Sequence, residues 1–338
     1  MKFLFLLLSI SFLTPLFAQA GKAEGDTLRF KTTVLSGSYN SDWEPRNRAF
    51  QALYNGTLED NWNHKNKTHG GKLGVDYYTP LYDNLFSHLL FGINFSAIGG
   101  KYPMSRYGQS QVHNGKYSGG YRQVEITFGT VIDAYRGLRI IPKFVHRSLT
   151  QSLKNEVDSY LFSATSMDTF SGKEIYKSNA TLGYFGLGLE YDLSPNLTVY
   201  FDSLLYSNLL VQSNGKYQAE IKTQGFLSSA DNSANTLMRH SYSEGNYKVS
   251  GNRFLIGMSF KISDSFQFFI TTERDTIRTK ISNPIGTNVT GMVSSASLGF
   301  DGQMDVVNKT LYEKLLYTRD QRIISTTTQL GVAKDFYF

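Results

Sequence analysis

Residues 186–202, GLGLEYDLSPNLTVYFD, alternate with a period of two on both sides of a short turn. Leu187, Leu189, Tyr191 and Leu193 interleave with Gly186, Gly188, Glu190 and Asp192; beyond Ser194-Pro195-Asn196, Leu197, Val199 and Phe201 interleave with Thr198, Tyr200 and Asp202. Successive side chains of a strand point to opposite faces, so this is a hairpin with one apolar side and one small or charged side. The glycine spacing from Gly183 onward imitates a nucleotide-binding loop, but the turn comes before any helix could start. The same pattern recurs around TPLYDN (79–84), DAYRGL (133–138) and ISDS (262–265).

Between the hairpins run long polar segments, residues 99–120, 150–179 and 207–247, rich in Ser, Asn, Gly, Lys and Tyr. A compact soluble domain seldom carries several structureless connections beyond about 15 residues. A sheet in lipid explains the asymmetry. Every backbone polar group there must be paired, which closes the sheet into a barrel with short turns on the periplasmic side and long loops outside. The four hairpins, a strand near residues 27–36 (TLRFKTTVLS) and a terminal strand bring the count to about ten, or twelve if residues 281–321 hold a further hairpin. The predicted fold is therefore all-β: one closed antiparallel transmembrane β-barrel over residues 21–338.

Both ends of the chain fit this reading. MKFLFLLLSISFLTPLFAQA has one basic residue, Lys2, an apolar run and a small-x-small close at Ala18-Gln19-Ala20, which predicts a signal peptide removed after Ala20. No later stretch reaches 18 continuous apolar residues, so no membrane helix is expected. Without cysteine the chain has no disulfide, lipidated thiol or thiolate metal site. Its formal charge of +6 is spread along the chain, which argues against a nucleic-acid partner. The 22 tyrosines and 24 phenylalanines suit strands and interfacial girdles. In the last stretch, TTTQLGVAKDFYF, Leu330, Val332, Phe336 and Phe338 share one face, and Gln329, Gly331, Ala333, Asp335 and Tyr337 share the other.

With its leader, its hairpins and its terminal Phe338, the chain resembles Gram-negative-type outer-membrane β-barrel proteins. In general character it is most similar to uncharacterised spirochaete outer-membrane barrels. The resemblance implies a multi-pass protein of the bacterial outer membrane, in contact with outer-membrane lipid. It also implies that Leu330, Val332, Phe336 and Phe338 form the signal read by the barrel-assembly machinery. Lys334 departs from that pattern, and a lysine near the rim can snorkel to the headgroups. The function expected is structural or porin-like passage of small solutes, without catalysis or cofactor. The alternatives are an adhesin whose Tyr/Ser/Asn-rich loops meet host surface ligands, and a lipid hydrolase.

The face turned from lipid can be paired by counting outward from each turn. Glu125 then falls opposite Arg147, Asp133 opposite Arg139, and, about Asp264, Arg253 opposite Asp275. These are predicted lumen ion pairs, serving as an ion-selective constriction or simply filling a small barrel. Two segments have helical patterns, SDWEPRNRAFQALYNG (41–56) and TLYEKLLY (310–317). The omptin proteases share a ten-stranded architecture, but none of the six histidines here has an aspartate two residues before it. His146 and Ser148 resemble the H-x-S step of outer-membrane phospholipase A and lipid A deacylase, with Glu156 as the candidate orienting group. Leu149 stands where those families carry asparagine. Histidines scattered singly predict no metal site, and His88, near Asp76 across its turn, reads as a lumen residue.

Overall fold

A computed structural model describes residues 25–81 except 42–66, 86–108, 111–135, 137–162, 167–228, 234–294 and 321–338. The leader and, apart from Ser41, both helical patterns lie outside the described residues. Eleven strands occur in chain order: β1 (Thr27–Ser41), β2 (Lys67–Pro80), β3 (Phe86–Gly108), β4 (Gln111–Tyr135), β5 (Leu138–Phe162), β6 (Met167–Ser194), β7 (Leu197–Tyr206), β8 (Asn214–Ser228), β9 (Ala234–Ser263), β10 (Phe266–Ser294) and β11 (Gln321–Tyr337).

Each strand pairs antiparallel with its neighbours, and β1 meets β11 to close the ring. β7 and β8 occupy one place: both lie between β6 and β9, β7 toward the short turns and β8 toward the far end. Eleven segments thus make a circumference of ten strands. Residues 281–294 continue β10 and add no strand to the wall.

Stepping from partner to partner around the wall measures the stagger of the barrel. Thr27 leads through Tyr78, Leu90, Gly129, Lys143, Gly186, Leu204, Arg253, Asp275 and Ser325 back to β1 at Tyr39. The circuit returns twelve residues up the strand from where it began. For ten strands this stagger tilts the strands by about 40° from the barrel axis.

The outer face is apolar and exposed. Leu73, Phe95, Phe128, Leu187, Ile256 and Leu330 all point away from the lumen, whereas Glu125, Arg147, Glu273 and Asp275 are buried. This inverts the arrangement of a water-soluble protein. On β9 the belt runs from Phe254 to Ile262, a height of roughly 20 Å at strand rise and this tilt, close to the apolar band of a transmembrane barrel. At the β1–β11 seam Phe30 and Phe336 pack edge to face, with ring centroids 5.6 Å apart.

Strands β3 to β6, β9 and β10 are 23 to 30 residues long, far beyond the 9–11 or so that cross a hydrocarbon layer. The polar segments expected as loops are therefore mostly paired strand. β3 and β4 stay in register to Gly108 and Gln111, β5 and β6 to Phe162 and Met167, and β8 and β9 to Ser228 and Ala234. These stretches carry no apolar alternation, but their ladder of backbone pairing persists.

One interruption breaks the wall. Residues 207–213 leave the ladder between β7 and β8, and Leu209 and Leu210 on this excursion are 82% and 65% exposed. Gly183 anchors it: its carbonyl accepts from Ser207 N–H at 2.9 Å, and its N–H donates to Ser213 Oγ at 3.1 Å. A Cβ at Gly183 would stand 2.9 Å from the Ser207 carbonyl oxygen, so the close approach needs glycine.

Candidate functional site in the lumen

The barrel interior divides into two halves. Toward the short turns a cavity of about 470 Å³ reaches from Thr27, Asp264 and Tyr337 at the mouth to Glu125, Arg253 and Glu273. Ion pairs line its wall, between adjacent strands or, for Lys143 and Asp202, across β6. Arg29 forks onto Asp335 at 2.7 and 2.9 Å, Lys31 meets Asp76, and Lys143 Nζ lies 2.5 Å from Asp202 Oδ1. At the rim, outside the spanning strands, hydrogen bonds from Tyr77 and then Thr79 hold the Asp26 carboxyl below its ordinary pKa.

At mid-height a different arrangement spans the lumen. Arg147 on β5 lies 2.6 Å from Asp275 on β10, and Arg253 on β9 donates to Glu125 on β4. Each pair joins strands four places apart in a ring of ten, so the contacts run across the lumen rather than along the wall. The stagger makes this geometry. It lifts β9 and β10 by about five residues relative to β4 and β5, bringing two separate rows of the sheet to one height.

Arg147 ties the rows together. Its Nε lies 3.7 Å from Glu125 Oε1, its Nη1 donates to Tyr184 OH at 3.4 Å, and its guanidinium sits 6.0 Å from the Tyr121 ring centre. Its side chain is wholly buried, and its Nε and Nη2 make no hydrogen bond. Beside this crossing Gln329 donates to Glu273 at 2.9 Å, and Lys72 faces the same cavity.

Above the crossing the interior becomes apolar. Leu35, Ile98, Leu149, Leu182, Val249, Ile277 and Ile323 pack with Tyr121, Tyr184, Tyr217 and Tyr247 as one buried cluster. The charges therefore have apolar surroundings on one side and a polar cavity on the other. In such surroundings the attraction within each pair is stronger than in water, and an unpaired charge costs far more.

Glu125 and Arg147 are direct ladder partners, as are Arg253 and Asp275. The shorter contacts of both arginines nevertheless go across the lumen. Asp133 and Arg139 are also ladder partners, but Arg139 turns to β6, with Nε 3.2 Å from Glu190 and Nη2 3.0 Å from Asp192. The ladder slips between Asp133 and Tyr135, next to a turn in which Gly137 takes a φ of 83°, and Asp133 is exposed.

His146 and Ser148 lie on the outer face of β5, between Ile126 and Gly183 and between Val124 and Thr181 respectively. Glu156 belongs to the same strand, eight residues beyond Ser148, roughly 26 Å away at strand rise. The three are not brought together. Leu330, Val332 and Phe336 occupy the outer face of β11, with Phe338 71% exposed just beyond its end. Lys334 shares that face, with Nζ 5.2 Å from the Phe336 ring centre. Among the described residues no cluster of three His, Cys, Asp or Glu side chains could hold a metal.

Sequence reasoning placed Gln329 on the face opposite the apolar one but passed over Glu273, Lys72 and the two tyrosines around Arg147. Glu273 stands two residues from Asp275 and so shares its face, a signal that was present. The tyrosines gave none, because their place beside Arg147 depends on closure of the barrel.

No protein-family model matches the chain, and neither does any curated protein sequence. Solved structures with a similar course include the Pseudomonas putida toluene transporter TodX, at 8% identity and a TM-score of 0.29 over 94% of this chain and 91% of that one. The translocator domain of the autotransporter NalP from Neisseria meningitidis matches at 12% identity and 0.26, over 97% and 92%. A major outer membrane protein from Thermus thermophilus matches at 11% and 0.24, over 91% and 99%. At these values the likeness says nothing of what this chain carries or binds.

Proposed function

We infer that the protein is a non-catalytic barrel of the bacterial outer membrane that passes small solutes through a gated lumen. The exposed apolar belt supports residence in lipid, with the short turns in the periplasm. The observation that carries the gate is the crossing of Arg147 to Asp275 and of Arg253 to Glu125, which closes the interior above an open polar cavity. Passage requires these pairs to separate and the apolar layer above them to shift.

Conductance in planar bilayers tests this reading. The wild-type barrel should be closed most of the time, with brief openings. The variant Glu125→Gln with Arg253→Gln keeps the volume and removes one charge crossing, and it should open more often. No channel events from either protein would leave only a structural role.

The length of the strands supports a second reading. Strands of up to 30 residues carry a paired wall well beyond the belt, and such a wall would present a surface to host ligands. Binding of whole cells to host matrix proteins, lost on trimming the β8–β9 hairpin, would favour adhesion. In either case Leu330, Val332, Phe336 and Phe338 are proposed as the element read by the assembly machinery.

A further inference from the structure

Deep in the polar cavity below the crossing, one cation and one carboxylate are left without a partner of opposite sign. Arg29, Lys31, Lys143 and Arg253 on the cavity wall each hold a carboxylate. Asp133, Lys261 and Asp264 are exposed, so water solvates them. Lys72 differs: it lines the cavity, and among the described residues it makes no ion pair. Glu273 lines the same cavity and is 5% exposed, and the hydrogen bond it accepts comes from the neutral amide of Gln329.

The stagger brings these two groups to one level. A row of ladder partners climbs twelve residues in a circuit of ten strands, or about 1.2 residues for each strand crossed. Backward from Lys72 the row runs through Thr33 and Gly331 to Phe269 on β10, and Glu273 stands four residues up that strand, which offsets the descent. Forward it passes Ser96 to Gln123 on β4, and Glu125 lies two residues below. Glu125 and Glu273 both attract Lys72 across the gap without touching it. Just below this level Asn94 and Thr271 line the cavity, 8% and 4% exposed, and Asn94 Oδ1 and Thr271 Oγ1 have no hydrogen-bond partner. Gly74 makes room for Asn94, since a Cβ there would overlap its Oδ1.

A ligand with a single charge fits this end of the cavity poorly. An anion on Lys72 would face Glu125 and Glu273, and a cation on Glu273 would face Lys72 and Arg253. A molecule that carries both signs satisfies both groups: its carboxylate accepts from Lys72 and its ammonium donates to Glu273, with Asn94 Oδ1 and Thr271 Oγ1 as further acceptors. The cavity, at about 470 Å³, falls within the size range of small-molecule sites. We propose that its inner end binds a small zwitterion of amino-acid type, with Lys72 holding the carboxylate and Glu273 the ammonium. This assignment rests on the reading of the lumen as a path for small solutes, and it names their class.

Wild type, Lys72→Gln, Glu273→Gln and the control Lys280→Gln, an exposed position of β10, are refolded in detergent and titrated calorimetrically with glycine, β-alanine and γ-aminobutyrate. Each zwitterion is compared with the acid that lacks its amine and with the amine that lacks its acid. A charge-assisted hydrogen bond contributes on the order of tenfold in affinity, so wild type and control should prefer at least one zwitterion over both of its analogues by about that factor. Lys72→Gln should lose the preference over the amine alone, and Glu273→Gln the preference over the acid alone. Loss of the fold would instead weaken all three ligands together. The double variant Lys72→Gln/Glu273→Gln keeps the charge balance and should show no preference. Equal binding of every zwitterion and its analogues by wild type overturns the proposal, as does a preference that both single variants retain in full. Bilayer recording separates the site from the passage reading. Channel events without a zwitterion preference overturn the site and leave passage standing, whereas the preference without channel events upholds the site and removes passage.

Discussion

Two groups of ion pairs line this barrel, and they differ in burial far more than in chemistry. Across the middle, the side chains of Arg147 and Asp275 are 0% and 2% exposed at 2.6 Å; at the mouth, those of Arg139 and Asp192 are 30% and 33% exposed at 3.0 Å. Water and salt screen the second pair, whose net contribution is at most about 1 kcal/mol. The first pair has lost its hydration, and its attraction offsets that loss only while both partners are present. The crossing therefore works as a unit, whereas the mouth pairs are nearly independent of one another.

Breaking the unit gives the largest effect. Arg147→Ala leaves Asp275 buried against the apolar layer without its cation, and should lower unfolding free energy in detergent by about 3–5 kcal/mol. Denaturant titration followed by the mobility shift of the folded barrel measures it. Loss below about 1 kcal/mol would place the crossing in water, like the mouth.

Removing both partners sharpens the same contrast. Arg147→Met with Asp275→Leu leaves Arg253 and Glu125 to neutralise each other, and apolar side chains then face the layer above. Stability should return to within about 1 kcal/mol of wild type or exceed it. A double variant as weak as Arg147→Ala would show that the loss comes from packing volume rather than from an unpaired charge.

How far the sequence revealed these groups follows from what each depends on. Glu125–Arg147 and Arg253–Asp275 were legible as ladder partners because a tight turn fixes register and a period of two fixes the face. The lumen crossing was not, since it depends on the stagger accumulated around the whole ring, which no single hairpin contains. Arg139 misled for a local reason: counting placed it correctly opposite Asp133, but its ladder partner on the other side is Glu190 of β6, and the side chain turns there. The outer extensions of β3 to β6 were hidden because their residues carry no apolar alternation.

At the mouth the expected effects are smaller. Arg139→Gln removes contacts to Glu190 and Asp192, but both carboxylates keep access to water, and Thr198 Oγ1 still donates to Asp192 at 2.6 Å. The change should cost about 0.2–1 kcal/mol, and molar salt should erase most of it. A salt-insensitive loss above about 2 kcal/mol would make the mouth pairs part of the buried unit.

The smallest effect on the finished barrel belongs to a charge on the lipid face. Lys334 stands on β11 between Val332 and Phe336, opposite Phe30 across the seam, with its ammonium over the Phe336 ring. It lies within four residues of the chain end, so its stem can run along the apolar surface while the amine reaches the headgroups. Lys334→Leu exchanges a weak cation–π contact for apolar burial of similar area. The change in stability should stay within about 1 kcal/mol. Assembly in cells should be equal or better, because leucine restores apolar side chains at every second position from Leu330 to Phe338. Deleting Phe338 supplies the contrast: the exposed ring contributes at most about 1.5–3 kcal/mol to the folded barrel, yet the amount assembled in cells should fall several-fold while refolding in detergent proceeds. If both variants assemble in cells as wild type does, the terminal aromatic is the end of a strand and carries no assembly signal.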